Sequence, residues 1–454
     1  MSRRTFEIEK TRTQMKMSIK DYFGDSLGQF AISLMTTLAG QLTYFYTDKV
    51  GLAAGIVATM FLVCKIADAF TGLIMGNMID HTKPGKERYR PWILKAGIPA
   101  GITMILLLTI PPVGENGKLV YVFIMNLLIN AVFFTAISLS YSSLMVVRTN
   151  SQQERSTMGT WRAVFSHIAG MFIAVFIIPI TNAMGGDINA WIRFAFILSI
   201  FVFPSLFIAY ATSRECTSEA VHKVKEDSEE KVPFGKALRL LLGNKYWVIV
   251  LLINTMSGVI YGIIAASGVY YCKWIFGNDN LVGITGLISI VPTIIGFIVV
   301  MPMNRRFGTA KTLKIGFGIG VIANMLLLLF RNNFIAYCIL GCFSTFALIP
   351  LMCLGGVVSA MSIDYNEYKY GVKMIATSNS ASGFGSKIGN GLGASLIGWL
   401  LALVHYDPTL NAATQTTKLA IYGFTFVVPL IMFGIMYLLI SKFDLEKSLP
   451  EMNQ

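Results

Sequence analysis

Twelve long apolar runs decide what this chain can become. They lie near residues 28–47, 53–79, 92–112, 119–147, 163–183, 190–212, 246–275, 281–303, 312–330, 333–361, 374–404 and 419–441. A helix that crosses a bilayer needs roughly 20 predominantly apolar residues, and in hydrocarbon its backbone groups must be satisfied within the helix. The runs are apolar throughout rather than striped along one face, so they do not read as surface helices of a soluble bundle. Charge content agrees: 13% of the residues are Asp, Glu, Lys or Arg, against about 25% in a soluble domain. The expected class is an all-α integral membrane protein with twelve transmembrane helices.

The formal net charge of +13 raises the question of nucleic acid, and its distribution answers it. Arg3, Arg4, Lys10, Arg12, Lys16 and Lys20 precede the first run, and the segments after every second run, with the C-terminal tail, are also basic. The intervening loops hold only Lys49, Lys118, Arg193, Lys273, Arg331 and Lys418. Lys and Arg accumulate on the cytoplasmic side of membrane proteins. Both termini are therefore expected in the cytoplasm of a multi-pass cell-membrane protein, with lipid rather than nucleic acid around it. The polar N-terminal tail contains no short apolar segment with a small-residue cleavage site, so no cleaved leader is expected. The six cysteines fall mostly inside apolar runs and show no CxxC spacing. They read as packing residues, not as a disulfide framework or a zinc site.

One long hydrophilic insert, "TSRECTSEAVHKVKEDSEEKVPFGKALRLLLGNKYW" from Thr212 to Trp247, separates six runs from six. A duplicated architecture follows: a six-helix bundle over 1–212, a cytoplasmic linker over 213–244 and a second bundle over 245–454. The loop after the second run, "GNMIDHTKPGKERYRPW", and that after the eighth, "MNRRFGTAKT", are both short, basic and Gly-containing. They match the pattern of the major facilitator superfamily.

Six further strings narrow the likeness: "YFYTDKVGL", "FLVCKIADAF", "RYRPWIL", "QQERSTMGTWR", "IDYNEYKYGVK" and "GSKIGNGLG". In order and at matching topological positions, they resemble the glycoside–pentoside–hexuronide:cation symporters, the family of the melibiose permease. The resemblance implies two pseudo-symmetric six-helix bundles that import a small-molecule sugar or glycoside by alternating access. It implies H⁺ or Na⁺ as coupling ion, no bound cofactor or metal, and no enzymatic activity. A single chain is expected to suffice.

Asp68 alone among the 24 carboxylates lies well within a run; Asp25 sits near the start of the first, and among the bases only Lys65 and Lys387 lie deep. An ionised group at the bilayer centre costs about 2.5–3.5 kcal/mol on insertion scales, so such groups face the interior and find partners. Lys65 and Asp68, at i and i+3, can neutralise each other on one helix face, although a buried ion pair is a poor source of stability. The resemblance gives Asp68 a different role, in cation binding, and brings Lys387 of the eleventh helix toward it. The chain departs from the family one turn later, where Gly72 replaces a second carboxylate. Asp68 with Thr71 and backbone carbonyls makes a weak Na⁺ site, whereas a lone buried Asp can carry a proton because burial favours its neutral form. Uncoupled transport stays open.

The positions where the family grips sugar also differ, carrying Gln29, Ser138 and Ser142 in place of two carboxylates and an aromatic; the arginine of the fifth helix is kept as Arg162. Gln and Ser still bond hydroxyls. With Lys65, Lys387 and Arg162 against Asp68, the interior leans positive, which suits an acidic glycoside such as a uronide. Asp80, Arg88, Arg90, Arg155, Asp364, Glu367 and Lys373 follow the even-numbered helices and are expected as charge pairs closing the cytoplasmic mouth, solvated charge being the alternative. Tyr261, Tyr270, Tyr271 and Trp274 either stack on a sugar ring or pack. Gly385, Gly389 and Gly393 at four-residue spacing read as a close helix contact. A membrane enzyme is disfavoured, because His81, His167, His222 and His405 are scattered with no catalytic spacing. A carrier of amphipathic lipids and a non-transporting sensor are the remaining rivals.

Overall fold

The computed structural model describes residues 17–80, 87, 89–148, 152–213, 239–370, 375–410 and 412–445. Among them, helices form twelve continuous stretches. The first six are α1 (Ile19–Gly40, prolonged by Leu42–Tyr44 and a π turn Phe45–Lys49), α2 (Ala54–Asp80), α3 (Arg90–Leu108), α4 (Glu115–Leu127, a π segment Leu128–Phe134, then Thr135–Arg148), α5 (Gln152–Ala183) and α6 (Ile188–Thr212). The second six are α7 (Lys245–Ile275), α8 (Leu281–Ile288 and Ile290–Phe307), α9 (Thr309–Leu329), α10 (Phe334–Phe346 and Ile349–Tyr370), α11 (Ile375–Leu403) and α12 (Gln415–Tyr422, a π turn Gly423–Val427, then Val428–Ser441). Ten are long and apolar enough to cross a membrane; α1 and α11, the two richest in polar residues and glycine, are not among them.

Two helices begin well before their apolar runs. α1 starts at Ile19, with Ser18 and Asp21 forming a reciprocal capping box, which satisfies two of the amides that a helix start leaves open. α5 starts at Gln152, so its first three turns are polar. Apolar runs mark hydrocarbon, not helix ends, and so Asp25 and Arg162 lie inside helices.

The chain divides into two compact units, Met1–Leu42 with Val63–Lys225, and Thr43–Leu62 with Glu226–Gln454. In the first, α1 packs against α5 and α6, and α3 against α4 and α6. Gly24 and Gly28 admit the close approach: a methyl at Gly24 would overlap Thr212, and one at Gly28 would meet Tyr141 and Ala209. In the second, α7 lies along α11 and α9 along α10 and α12. The α7–α11 seam is glycine against backbone. A Cβ at Gly389 would stand 2.0 Å from the Thr255 carbonyl oxygen, one at Gly393 2.1 Å from that of Val259, and one at Gly262 2.3 Å from that of Asn390. Small residues let helices meet backbone to backbone where no water is displaced to drive them together. The Gly385, Gly389 and Gly393 stripe thus has a reciprocal stripe, Gly258 and Gly262, on α7.

Candidate functional site

Three buried carboxylates organise the described polar interior, two more than the apolar runs suggest. Asp68 is 7% exposed, and the side chains of Asp25 and Asp48 are 0% exposed. Asp25 was expected near a helix start and Asp48 in a loop. The early start of α1 and the π turn that prolongs it draw both inside.

Asp68 lies midway along α2 and faces the irregular stretch of α4. A π segment inserts an extra residue into the helix and leaves the local carbonyls without their usual partners. Here the Thr135 hydroxyl reaches the Asn130 carbonyl oxygen at 3.0 Å and also meets Asp68 Oδ1. The Asn130 side chain donates to the Asn126 carbonyl at 3.0 Å, and its Oδ1 accepts from Lys65 Nζ at 3.2 Å. Lys65 and Asp68 therefore both address the π segment of α4. Thr71, half-buried, donates to the Asp68 backbone carbonyl at 3.2 Å. That is an ordinary bond within the helix. Thr135 and Asn130 are the contributors that sequence reasoning missed; a polar pair in the fourth run is their only signal.

Gln29, half-buried on α1, donates to Ser33 Oγ at 3.2 Å, and Ser33 meets Ser166 Oγ of α5 at 2.7 Å. Ser138 and Ser142 are exposed, one turn apart on α4. Lys387 is exposed on α11 in the second unit.

Arg162 occupies a different setting from that of a sugar ligand. Its Nε donates to Asp25 Oδ2 at 2.6 Å and a terminal nitrogen to Oδ1 at 2.9 Å. The guanidinium lies 3.7 Å from the centre of the Tyr141 ring and donates to the Tyr141 carbonyl at 3.0 Å. Arg148 adds a bond to Asp25 Oδ1 at 2.8 Å and one to the Thr212 carbonyl at 3.2 Å, and the Tyr141 hydroxyl donates to the Asp25 backbone oxygen. One carboxylate thus joins α1, α4, α5 and the end of α6. Planar two-point pairing of this kind fixes geometry as well as charge.

Of the residues expected at the cytoplasmic mouth, Arg90 pairs with Glu87 at 2.7 Å and donates to the Tyr210 carbonyl at 2.6 Å, a link between α3 and α6 within the first unit. Asp364 and Glu367 are exposed near the end of α10. The side chains of Asp80 and Arg155, and residues Arg88 and Lys373 altogether, lie outside what the structure describes.

Among the aromatics of α7, Tyr261 is exposed, whereas Tyr270, Tyr271 and Trp274 are buried. Tyr271 stacks on Tyr337 at 4.6 Å, and Tyr270 meets Tyr44, Tyr406 and Phe424 edge to face. These three are packed, not open to a ligand. Tyr270 and Trp274 belong with Asp48 to a second polar cluster, where Asp48 accepts from Lys273 at 2.5 Å and from Tyr406 at 2.8 Å.

Comparison with known proteins places this geometry in context. A family model described as MFS/sugar transport protein matches residues 24–447. An isoprimeverose transporter of Lactiplantibacillus pentosus is 28% identical over 95% of this chain and 89% of its own length. An inner membrane symporter of Escherichia coli strain K12 is 27% identical over 91% of this chain and 89% of its own. A solved D-xylose-proton symporter superposes with a TM-score of 0.65 at 12% identity, over 93% of this chain and 97% of that one, a likeness of fold.

Proposed function

Because the chain belongs to the family of MFS/sugar transport proteins, we propose that it is a secondary active importer of a sugar or glycoside, coupled to the proton gradient through Asp68. It is a multi-pass membrane protein of that family, and its relatives are named as sugar transporters and symporters. Both termini lie in the cytoplasm in this reading, and the two six-helix bundles, 1–212 and 245–454, alternate access about the substrate.

The observation that carries proton coupling is a count of hydrogens. The Thr135 hydroxyl lies between two acceptors, Asp68 Oδ1 and the Asn130 carbonyl, and a hydroxyl has one proton to give. With Asp68 ionised, one of the two acceptors goes without it. With Asp68 protonated, the carboxyl donates to Thr135 and Thr135 donates to Asn130, so both contacts are bonded. Protonation of Asp68 thus reverses the direction of the Thr135 bond, and the loaded and unloaded states differ in which acceptor the hydroxyl serves. Na⁺ is the poorer fit, since Asn130 Oδ1 is engaged by Lys65 Nζ. Gln29, Ser138 and Ser142 offer hydroxyl-binding groups for the sugar, and Lys387 stands as a second coupling element. Arg162 acts by holding α5 to Asp25.

Uptake into proteoliposomes tests this reading. An imposed pH gradient is expected to drive accumulation of a neutral xyloside or a glucuronide, whichever is the substrate. Asp68→Asn keeps the donor chain, because an amide can donate to Thr135, and is expected to equilibrate substrate without concentrating it. Accumulation driven by Na⁺ alone, or undiminished in Asp68→Asn, refutes proton coupling at this residue.

A further inference from the structure

The second polar cluster has no part in the coupling chemistry above. It sits where α1 ends. Asp48, its side chain 0% exposed, accepts from Lys273 Nζ at 2.5 Å and Tyr406 at 2.8 Å on Oδ1, and from Thr47 at 2.8 Å on Oδ2. The Thr47 hydroxyl meets that of Tyr270 at 2.7 Å, Trp274 Nε1 donates to Tyr406 at 2.8 Å, and Tyr44 donates to Asp279 at 3.0 Å. These contacts join the end of α1 to the end of α7 and to the loop after α11.

Beside them the start of α2 lies on the last turns of α11 through small residues. A Cβ at Gly398 would stand 2.5 Å from the Ala54 carbonyl oxygen, and one at Gly55 2.9 Å from the Ala402 methyl. Ser395 donates to the Ala58 carbonyl at 2.8 Å. Residues Thr43–Leu62 consequently belong to the second unit, although α1 and α2 each continue into the first.

His405 adds an independent sign. It is the non-glycine residue with positive φ, 50°, among the described residues. Its amide bonds the Ala402 carbonyl and the next amide, Tyr406, bonds that of Leu401. This is a Schellman end with histidine where glycine is usual. A side chain in that conformation is strained, and such strain gathers at switch regions, where the surroundings hold it in place. The turn aims Tyr406 at Asp48.

We propose that Asp48, Lys273 and Tyr406 form a releasable clamp that closes the transport path on the external side, and that its opening is a step of the transport cycle. The assignment to the external side rests on the orientation proposed above. Attraction between the buried Asp48 carboxylate and the half-buried Lys273 ammonium supplies the closing force. The small-residue seam of α2 and α11 is held by close packing and by the bonds of Ser395 to the Ala58 carbonyl and of Trp399 Nε1 to Thr59 Oγ1 at 3.1 Å, without an ion pair among its described residues. The clamp adds the charge attraction beside it. Asp48, Lys273 and Tyr406 are positioning residues and need not touch the sugar.

The reporter is Ser395→Cys, buried in the seam, treated with a membrane-impermeant maleimide in intact cells and again in opened membranes; the parent chain's own cysteines set the baseline. Labelling is expected to be slow in the parent and to rise about tenfold with Asp48→Asn, the factor that a loss of roughly 1.4 kcal/mol gives. Tyr406→Phe, which deletes one hydroxyl, gives a smaller rise and serves if Asp48→Asn does not assemble. His405→Gly relieves the turn and lowers labelling. A rise in opened membranes but not in intact cells keeps the clamp and refutes the external assignment. Unchanged labelling in Asp48→Asn and Tyr406→Phe overturns the clamp. Because no sugar is needed, that result leaves the transport reading intact.

Discussion

Gly389→Ala tests the close α7–α11 seam with the smallest perturbation available. The added methyl would stand 2.0 Å from the Thr255 carbonyl oxygen and 2.9 Å from its carbon, on a backbone that cannot rotate away. Carbon and oxygen do not approach within about 3 Å, so the helices must part by roughly 1 Å. A gap of that size forfeits a quarter to a half of each dispersion contact along the line, and Gly258, Gly262 and Gly393 all lie on it. Overpacking a tight site costs about 1–3 kcal/mol, and the upper end applies where the obstructing atom is backbone. Alanine returns up to about 1 kcal/mol of helix propensity, leaving a net loss of about 2 kcal/mol. Gly356→Ala on α10 is the matched control, because nothing stands within 4 Å of its would-be methyl. It is expected to be neutral or slightly stabilising. Thermal unfolding of the purified protein, followed by tryptophan fluorescence, should give a midpoint several degrees lower for Gly389→Ala than for Gly356→Ala. Gly258→Ala with Gly389→Ala should lose less than the two losses added, since one methyl already opens the gap that the other needs. Equal midpoints for the single variants would refute the backbone contact.

The ion cluster at Asp25 should be less forgiving. Asp25→Asn leaves Arg148 and Arg162 buried without their carboxylate and is expected to destabilise by about 3–5 kcal/mol, read as loss of monodisperse protein on size-exclusion chromatography. Arg162→Lys, which keeps the charge but not the two-point pairing, should recover only part of that stability. Thr135→Val removes the shared hydroxyl and should weaken pH-driven accumulation at least tenfold, whereas Thr135→Ser retains it; uptake in proteoliposomes separates the two. His405→Gly, relieving a left-handed residue, should raise stability by about 1 kcal/mol in the same unfolding assay.

Sequence alone settled what depends on composition over long stretches. Hydrocarbon leaves a backbone no solvent partner, so apolar runs had to be helices, and their number and the hydrophilic insert at Thr212–Trp247 divided them six and six. Spaced motifs from "YFYTDKVGL" to "GSKIGNGLG" carried the family, and the glycine stripe of α11 announced a close contact before its partner on α7 was known. Tertiary structure decided everything that depends on which side chains meet. Asp25 and Asp48 looked peripheral because hydropathy averages over a window, whereas burial follows from a capping box at Ser18 and a π turn at Phe45–Lys49. Arg162 was legible as the arginine of the fifth helix but not as the partner of Asp25, 137 positions away. Thr135 became visible only through the π segment that turns it toward Asp68. Apolar burial is a sum over many residues and survives averaging along the chain; a hydrogen bond depends on two atoms within about 3 Å, and the fold alone brings them there.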